Sequence, residues 1–114
     1  MTNQEQITRL TDFWYKYVSK DHHKDRDCHW YIEQVWSYGD EPKWNAHHYG
    51  YIFDEPKYRE IECKNYEEAV ENLLDMVSRA INNEKQWARK VLENPKEWDK
   101  YQIESAKFIS DFEL

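Results

Sequence analysis

Three kinds of hydrophobic spacing divide the chain. Between Gln6 and Ser19 the apolar residues Ile7, Leu10, Phe13, Trp14, Tyr17 and Val18 recur every three or four positions, which lines them up on one side of a helix. From Cys28 onward the pattern changes. Cys28–Tyr38, Lys43–Phe53 and Tyr58–Lys64 are dense in aromatic and β-branched residues and are separated by Gly39-Asp40-Glu41-Pro42 and Asp54-Glu55-Pro56-Lys57, which predicts three strands joined by two turns. Pro42 and Pro56 fall outside the ladders, where a missing N–H does little harm. Helical spacing then returns: Tyr66, Ala69, Val70, Leu73, Val77, Ala80 and Ile81 form one stripe behind Asn65, a good N-cap, and the early acids Glu67 and Glu68 suit the helix dipole.

The remaining segments complete the outline. Met1–Glu5 reads as a frayed start and Asp21–Asp27 as a polar connector. Asn82-Asn83 is a candidate break, while Trp87, Val91 and Leu92 allow helix as far as Glu93, so 66–93 reads as one helix or two. Asn94-Pro95-Lys96-Glu97 has the form of a capped N-terminus and opens a last helix to about Phe112, with Trp98, Tyr101, Ser105, Phe108 and Phe112 in line. The expectation is a single α+β domain over 1–114. Its order is α-β-β-β-α-(α)-α: a helix within 1–20, a three-stranded antiparallel meander over 28–64, one or two helices over 66–93 and a final helix over 95–112.

Turn length decides which strand residues share a face, because side chains alternate and directly opposed residues point the same way. Two four-residue turns would set Ile32 opposite Tyr49, Trp30 opposite Tyr51, Trp36 opposite Asn45 and Phe53 opposite Tyr58. One face would then hold Trp30, Ile32, Trp36, Tyr38, His47, Tyr49, Tyr51, Phe53, Tyr58, Glu60 and Glu62. The other would hold His29, Tyr31, Glu33, Val35, Trp44, Ala46, His48, Ile52, Ile61 and Cys63. The third strand orients the pair: Ile61 and Cys63 are apolar where Glu60 and Glu62 are charged, so the second face is assigned to the Tyr66–Ile81 helix and the first is left open.

Composition narrows the functional classes. The 114 residues carry 34% charged side chains and a mean hydropathy of -1.16, but six Trp, nine Tyr and four Phe supply large apolar bodies with polar tips and argue for a folded, aromatic core. The net charge of -7 is spread, with 7 basic against 10 acidic residues over 1–58 and 9 against 13 over 59–114. No basic tract stands ready to neutralise phosphates, which disfavours direct nucleic-acid binding. No signal peptide or apolar run near membrane-spanning length is read, and Cys28 and Cys63 make neither a metal-type spacing nor a disulfide framework, so a reduced cytoplasmic setting is the default expectation.

Three resemblances follow from the sequence. Helix, three antiparallel strands and helix over residues 6–81 resembles the order of double-stranded-RNA-binding domains. Those place lysines at the start of the last helix, where this chain has Tyr66-Glu67-Glu68-Ala69-Val70-Glu71, so the resemblance implies the topology and not RNA binding. The run Cys63–Leu73 is similar to the strand-to-helix junction of HicB-type antitoxins. As a short, acidic, Lys/Asn/Tyr/Trp-rich chain, it also resembles accessory proteins of phages and prophages, some of which inhibit host defence nucleases in the anti-CRISPR manner.

Candidate chemistry is sparse. Asp21-His22-His23 spells the letters of the DHH phosphoesterase motif but sits in a polar connector rather than after a buried parallel strand. His22, His23, His29, His47, His48, Cys28 and Cys63 are potential metal ligands. In the four-residue-turn register His48 lies opposite Cys63 with Glu33 on its other side, a corner that reads first as a buried thiol beside a hydrogen-bonded sheet histidine. Neighbours such as His47 and His48 point to opposite faces and cannot chelate together. The acids Glu60, Glu62, Glu67, Glu68, Glu71 and Asp75 read first as a solvated exterior. No catalytic residue, metal site or cofactor is therefore expected. The preferred surface is the open aromatic face, with Trp30, Trp36, Tyr49, Tyr51, Glu60 and Glu62 as the contact residues for a protein partner. The expected function is non-enzymatic protein binding, in the manner of a phage-borne inhibitor or regulator. An antitoxin-like or nucleic-acid-associated regulator is the second reading, and a metal-dependent hydrolase the third.

Overall fold

A computed structural model of the chain describes residues 1–18, 28–50 and 58–114, the side chain of Cys28 excepted. Asp21-His22-His23, the second turn at 54–57, and Tyr51, Ile52 and Phe53 lie outside the described residues. The α+β architecture is the expected one, with elements in the order α-β-β-β-α-α and a three-stranded antiparallel sheet in the order β1-β2-β3.

Helix α1 spans Asn3–Phe13 and continues as one π-helical turn over Trp14–Val18. It starts earlier than the hydrophobic spacing alone predicts, because the first residues are capped rather than frayed. Thr2 Oγ1 accepts a hydrogen bond from the Glu5 backbone N–H at 3.1 Å and donates to Glu5 Oε1 at 3.0 Å, satisfying a donor that a helix start would otherwise leave open. The stripe read from the sequence does face inward: Leu10, Phe13, Trp14 and Val18 are buried.

Strands β1 (Cys28–Val35), β2 (Lys43–Gly50) and β3 (Tyr58–Cys63) form the sheet. The β1–β2 register sets Tyr31 opposite His47 and Ile32 opposite Ala46. This corrects the expected pairing of Ile32 with Tyr49. The reason lies in the connection, since the tight turn runs from Ser37 to Asp40, closed by the Asp40 N–H donating to Ser37 O at 3.1 Å, and Gly39 takes the left-handed φ of +81° that its third position needs. Trp36, Glu41 and Pro42 flank that turn outside the ladder, so the strands are joined by residues 36–42 rather than by four residues. The shift is odd-numbered, and it carries every β1 side chain to the other face. Between β2 and β3 the register sets His47 opposite Glu60 and Ala46 opposite Ile61. There the displacement from the expected pairing is even, so the expected faces of those two strands hold.

Helix α2 (Tyr66–Glu93) is the central support, packing against all three strands, α1 and α3 (Lys100–Asp111). Asn65 caps it as expected, its Oδ1 accepting from the Glu68 backbone N–H at 2.8 Å. The helix passes through Asn82-Asn83 without a break because Ile81, Glu84, Ala88 and Val91 continue the buried stripe from Ala69, Leu73, Met76, Val77 and Ala80. The last helix begins later than expected. Pro95–Glu97 is a short 3₁₀ turn and Trp98 is extended; the true cap is Asp99, paired with Gln102 in a capping box at 2.8 and 3.1 Å. Phe13 stacks on Phe112 at 3.7 Å and Tyr17 on Phe108 at 4.9 Å, tying the first segment to the last. Among the described residues no helix is long and apolar enough to cross a membrane.

Candidate functional site

The register places Trp30, Ile32 and Gln34 of β1 beside Trp44, Ala46 and His48 of β2 and Arg59, Ile61 and Cys63 of β3. This is the face covered by helices, with Trp30, Ile32, Trp44 and Ile61 packed against the buried core. The opposite face is a grid of three rows: His29, Tyr49 and Tyr58; Tyr31, His47 and Glu60; Glu33, Asn45 and Glu62.

The expected contact set divides accordingly. Tyr49, Glu60 and Glu62 lie on the open face and are exposed, as expected. Trp30 does not: it is half-buried on the helix side, its indole Nε1 donating to Thr11 Oγ1 at 2.9 Å and its ring meeting Trp14 edge-on at 5.5 Å. Trp36 is 72% exposed but stands past the end of β1, off the grid. Tyr51 lies outside the described residues. The conjectured His48–Cys63–Glu33 corner is not assembled. His48 pairs with Trp30 and Arg59, Cys63 pairs with Trp44, and Glu33 points to the other face. Cys63 is a buried free thiol, and the Asn72 side-chain amide donates to its sulfur at 3.3 Å.

What the register does assemble is a polar cluster around His47. Its imidazole is only 3% exposed although it lies on the open face, because Tyr31 stacks flat over it at 4.5 Å and 12° and neighbouring side chains close in from both strands. Nδ1 lies 2.9 Å from Tyr58 Oη, and Nε2 lies 2.6 Å from Glu33 Oε1 and 3.9 Å from Glu60 Oε1. Tyr58 in turn donates its hydroxyl proton to Glu60 Oε2 at 3.0 Å. Asn45 donates to Glu33 Oε1 at 3.3 Å, and Lys43 pairs with Glu62 at 3.5 Å along the same edge. These contacts are the diagonal and direct neighbours that an antiparallel sheet permits across adjacent strands.

The electrostatics follow from the contacts. The hydrogen bond from His47, reinforced by the one from Asn45, holds the Glu33 carboxyl below its ordinary value of 4.5. Lost solvation, then the hydrogen bond to Glu60 and that carboxylate's charge, push the Tyr58 phenol above its ordinary value of 10.0. Glu33, His47 and Glu60 each offer one ligand atom within 4.8 Å of the others, and theirs is the donor set in this region that fits a metal ion. His47 was one of seven candidate ligands read from the sequence; its partner Glu33 was hidden by the assumed turn length. The signal that would have found the pair is the sharp turn demanded by Gly39, which leaves Glu41 and Pro42 out of the ladder.

Comparison with protein families, with curated proteins and with solved structures finds no match to this chain.

Proposed function

We propose that this chain is a non-enzymatic protein-binding module whose contact surface is the open sheet face and whose partner presents a basic surface. The observation that carries the reading is the make-up of that face. Tyr31, Tyr49 and Tyr58 are 43%, 52% and 47% exposed on it, between the carboxylates of Glu33, Glu60 and Glu62. Tyrosines bury a large area on docking while losing few rotamers, and a face with three carboxylates against Lys43 and His47 is complementary to lysines and arginines. The stacked and hydrogen-bonded floor holds these groups in place before any partner arrives, which lowers the ordering cost of association. The same face is unsuited to nucleic acid, whose phosphates its carboxylates would repel. Inhibition or regulation of a host protein by a phage or prophage product is the setting this reading extends to.

The test is affinity capture from a candidate host lysate, read by quantitative mass spectrometry, with two matched charge reversals. Glu62→Lys combined with Tyr49→Ala alters the open face; Glu71→Lys alters the exposed side of α2. One protein should be held by the wild type and by Glu71→Lys, released as salt rises, and captured at least about tenfold less by the face variant. Equal capture by the face variant, or capture indifferent to salt, overturns the reading.

A further inference from the structure

We infer that Glu33, His47 and Glu60 form a binding site for a divalent transition-metal ion such as Zn2+, with Tyr58 as the residue that orients the histidine. The inference is independent of the protein-binding reading, because ion binding is a property of the isolated chain.

A phenol has one proton, and Tyr58 gives it to Glu60 Oε2. The contact between Tyr58 Oη and His47 Nδ1 therefore takes its hydrogen from the ring, which places an N–H at Nδ1. Nε2 then points at Glu33 Oε1, 2.6 Å away, with Glu60 Oε1 at 3.9 Å. Without a proton on Nε2, three electron-pair donors would converge on one point. That point therefore takes either the N–H that donates to Glu33 in the metal-free chain or a metal cation in its place.

The surroundings favour a cation. A metal-bound histidine commonly donates its other ring N–H to an oxygen acceptor that fixes the ring, and Tyr58 Oη fills that place for His47. The Tyr31 ring stacked on the imidazole fixes the direction of Nε2. The two spacings from Nε2, 2.6 and 3.9 Å, bracket the roughly 3.4 Å edge expected when ligands lie about 2.1 Å from a tetrahedral ion, so small rotations of two surface carboxylates complete the geometry. One nitrogen with two carboxylate oxygens suits a borderline ion better than a thiophilic one. With the Glu33 and Glu60 side chains 41% and 42% exposed, a further coordination position opens to solvent, so the ion would be exchangeable rather than sealed.

The experiment is a titration of the tag-free full chain with ZnCl2, followed by calorimetry and by the side-chain 1H–15N signals of its histidines. One equivalent should bind, with the His47 ring signals moving first. Glu33→Gln and Glu60→Gln, which change exposed side chains and leave the fold intact, should each weaken binding more than about tenfold, and Tyr58→Phe should weaken it about tenfold or more through misorientation of the ring. His47→Gln should abolish it; because His47 is buried, the two glutamate variants carry the decision if that protein unfolds. The inference is overturned if Zn2+ fails to bind, if the first signals to move belong to His22, His23, His29 or His48, or if both glutamate variants bind as the wild type does. The last two outcomes mean adventitious surface binding only.

Discussion

Tyr58 shows how much at this site turns on a single proton. Its hydroxyl sits between His47 and Glu60, so Tyr58→Phe leaves the sheet face almost unchanged in shape while removing both contacts. The Glu33 carboxyl, held below its ordinary 4.5, contributes stability at pH values above that figure and loses it as the pH falls from there through the lowered value, because in that window the unfolded chain binds a proton that the folded chain does not. Thermal unfolding followed from about pH 6 to about pH 3 should therefore fall less steeply for Glu33→Gln than for the wild type; parallel curves would show that the His47–Glu33 contact does not persist in solution. The two central tryptophans should also behave differently. Trp30→Phe forfeits the bond to Thr11 and should cost about 1 kcal/mol by denaturant unfolding, whereas Trp14 is fully buried with no partner for its Nε1 among the described residues, so Trp14→Phe removes an orphan donor as well as volume. Trp36→Ala, far more exposed, should stay within about 0.5 kcal/mol of the wild type.

Helix ends and turns set the element boundaries. Asp99→Ala removes the capping box of α3 and should cost about 1 kcal/mol, read as a lower midpoint in urea, while Asn94→Ala should cost less because Asn94 makes no side-chain cap there. Gly39→Ala meets no atom within 4 Å, so its penalty, about 1 kcal/mol, should be purely that of the left-handed backbone. These elements also explain what was legible in advance. Periods of two and 3.6 separate strands from helices wherever one side is buried, so α1, the three strands and α2 with its Asn65 cap could be read directly. The Asn82-Asn83 pair looked like a break because two poor helix formers stand together, yet tertiary burial of Ile81, Glu84 and Ala88 outweighs a few tenths of a kcal/mol of propensity. Parity across the first turn was not legible from strand patterning. Both faces of β1 carry aromatics, so no polar-apolar contrast disclosed that Trp30 and Ile32, rather than Tyr31 and Glu33, face the helices.

At the scale of the molecule, the sheet has one face on the helices and one face open among the described residues. Trp30, Trp44, Ala46, Ile61 and Cys63 join α1, α2 and α3 in a shared core, and Leu10, Trp14, Val77 and Ile81 are fully sealed within it, each contributing roughly 1.5–3 kcal/mol or more by removal from water. The reverse side carries the tyrosines, the carboxylates and the His47 cluster. With a net charge of -7 and its carboxylates on that face, the chain should pass through a heparin column at low salt; retention that weakens as salt rises would instead reveal a phosphate-binding surface. Everything assigned to the open face depends on the β1–β2 register, which backbone NOEs in a labelled sample measure directly. Opposed residues should give cross-strand contacts linking Tyr31 to His47 and Glu33 to Asn45. Contacts linking Ile32 to Tyr49 and Glu33 to His48 would return Glu33 to the helix side, separate it from His47, and contradict the account.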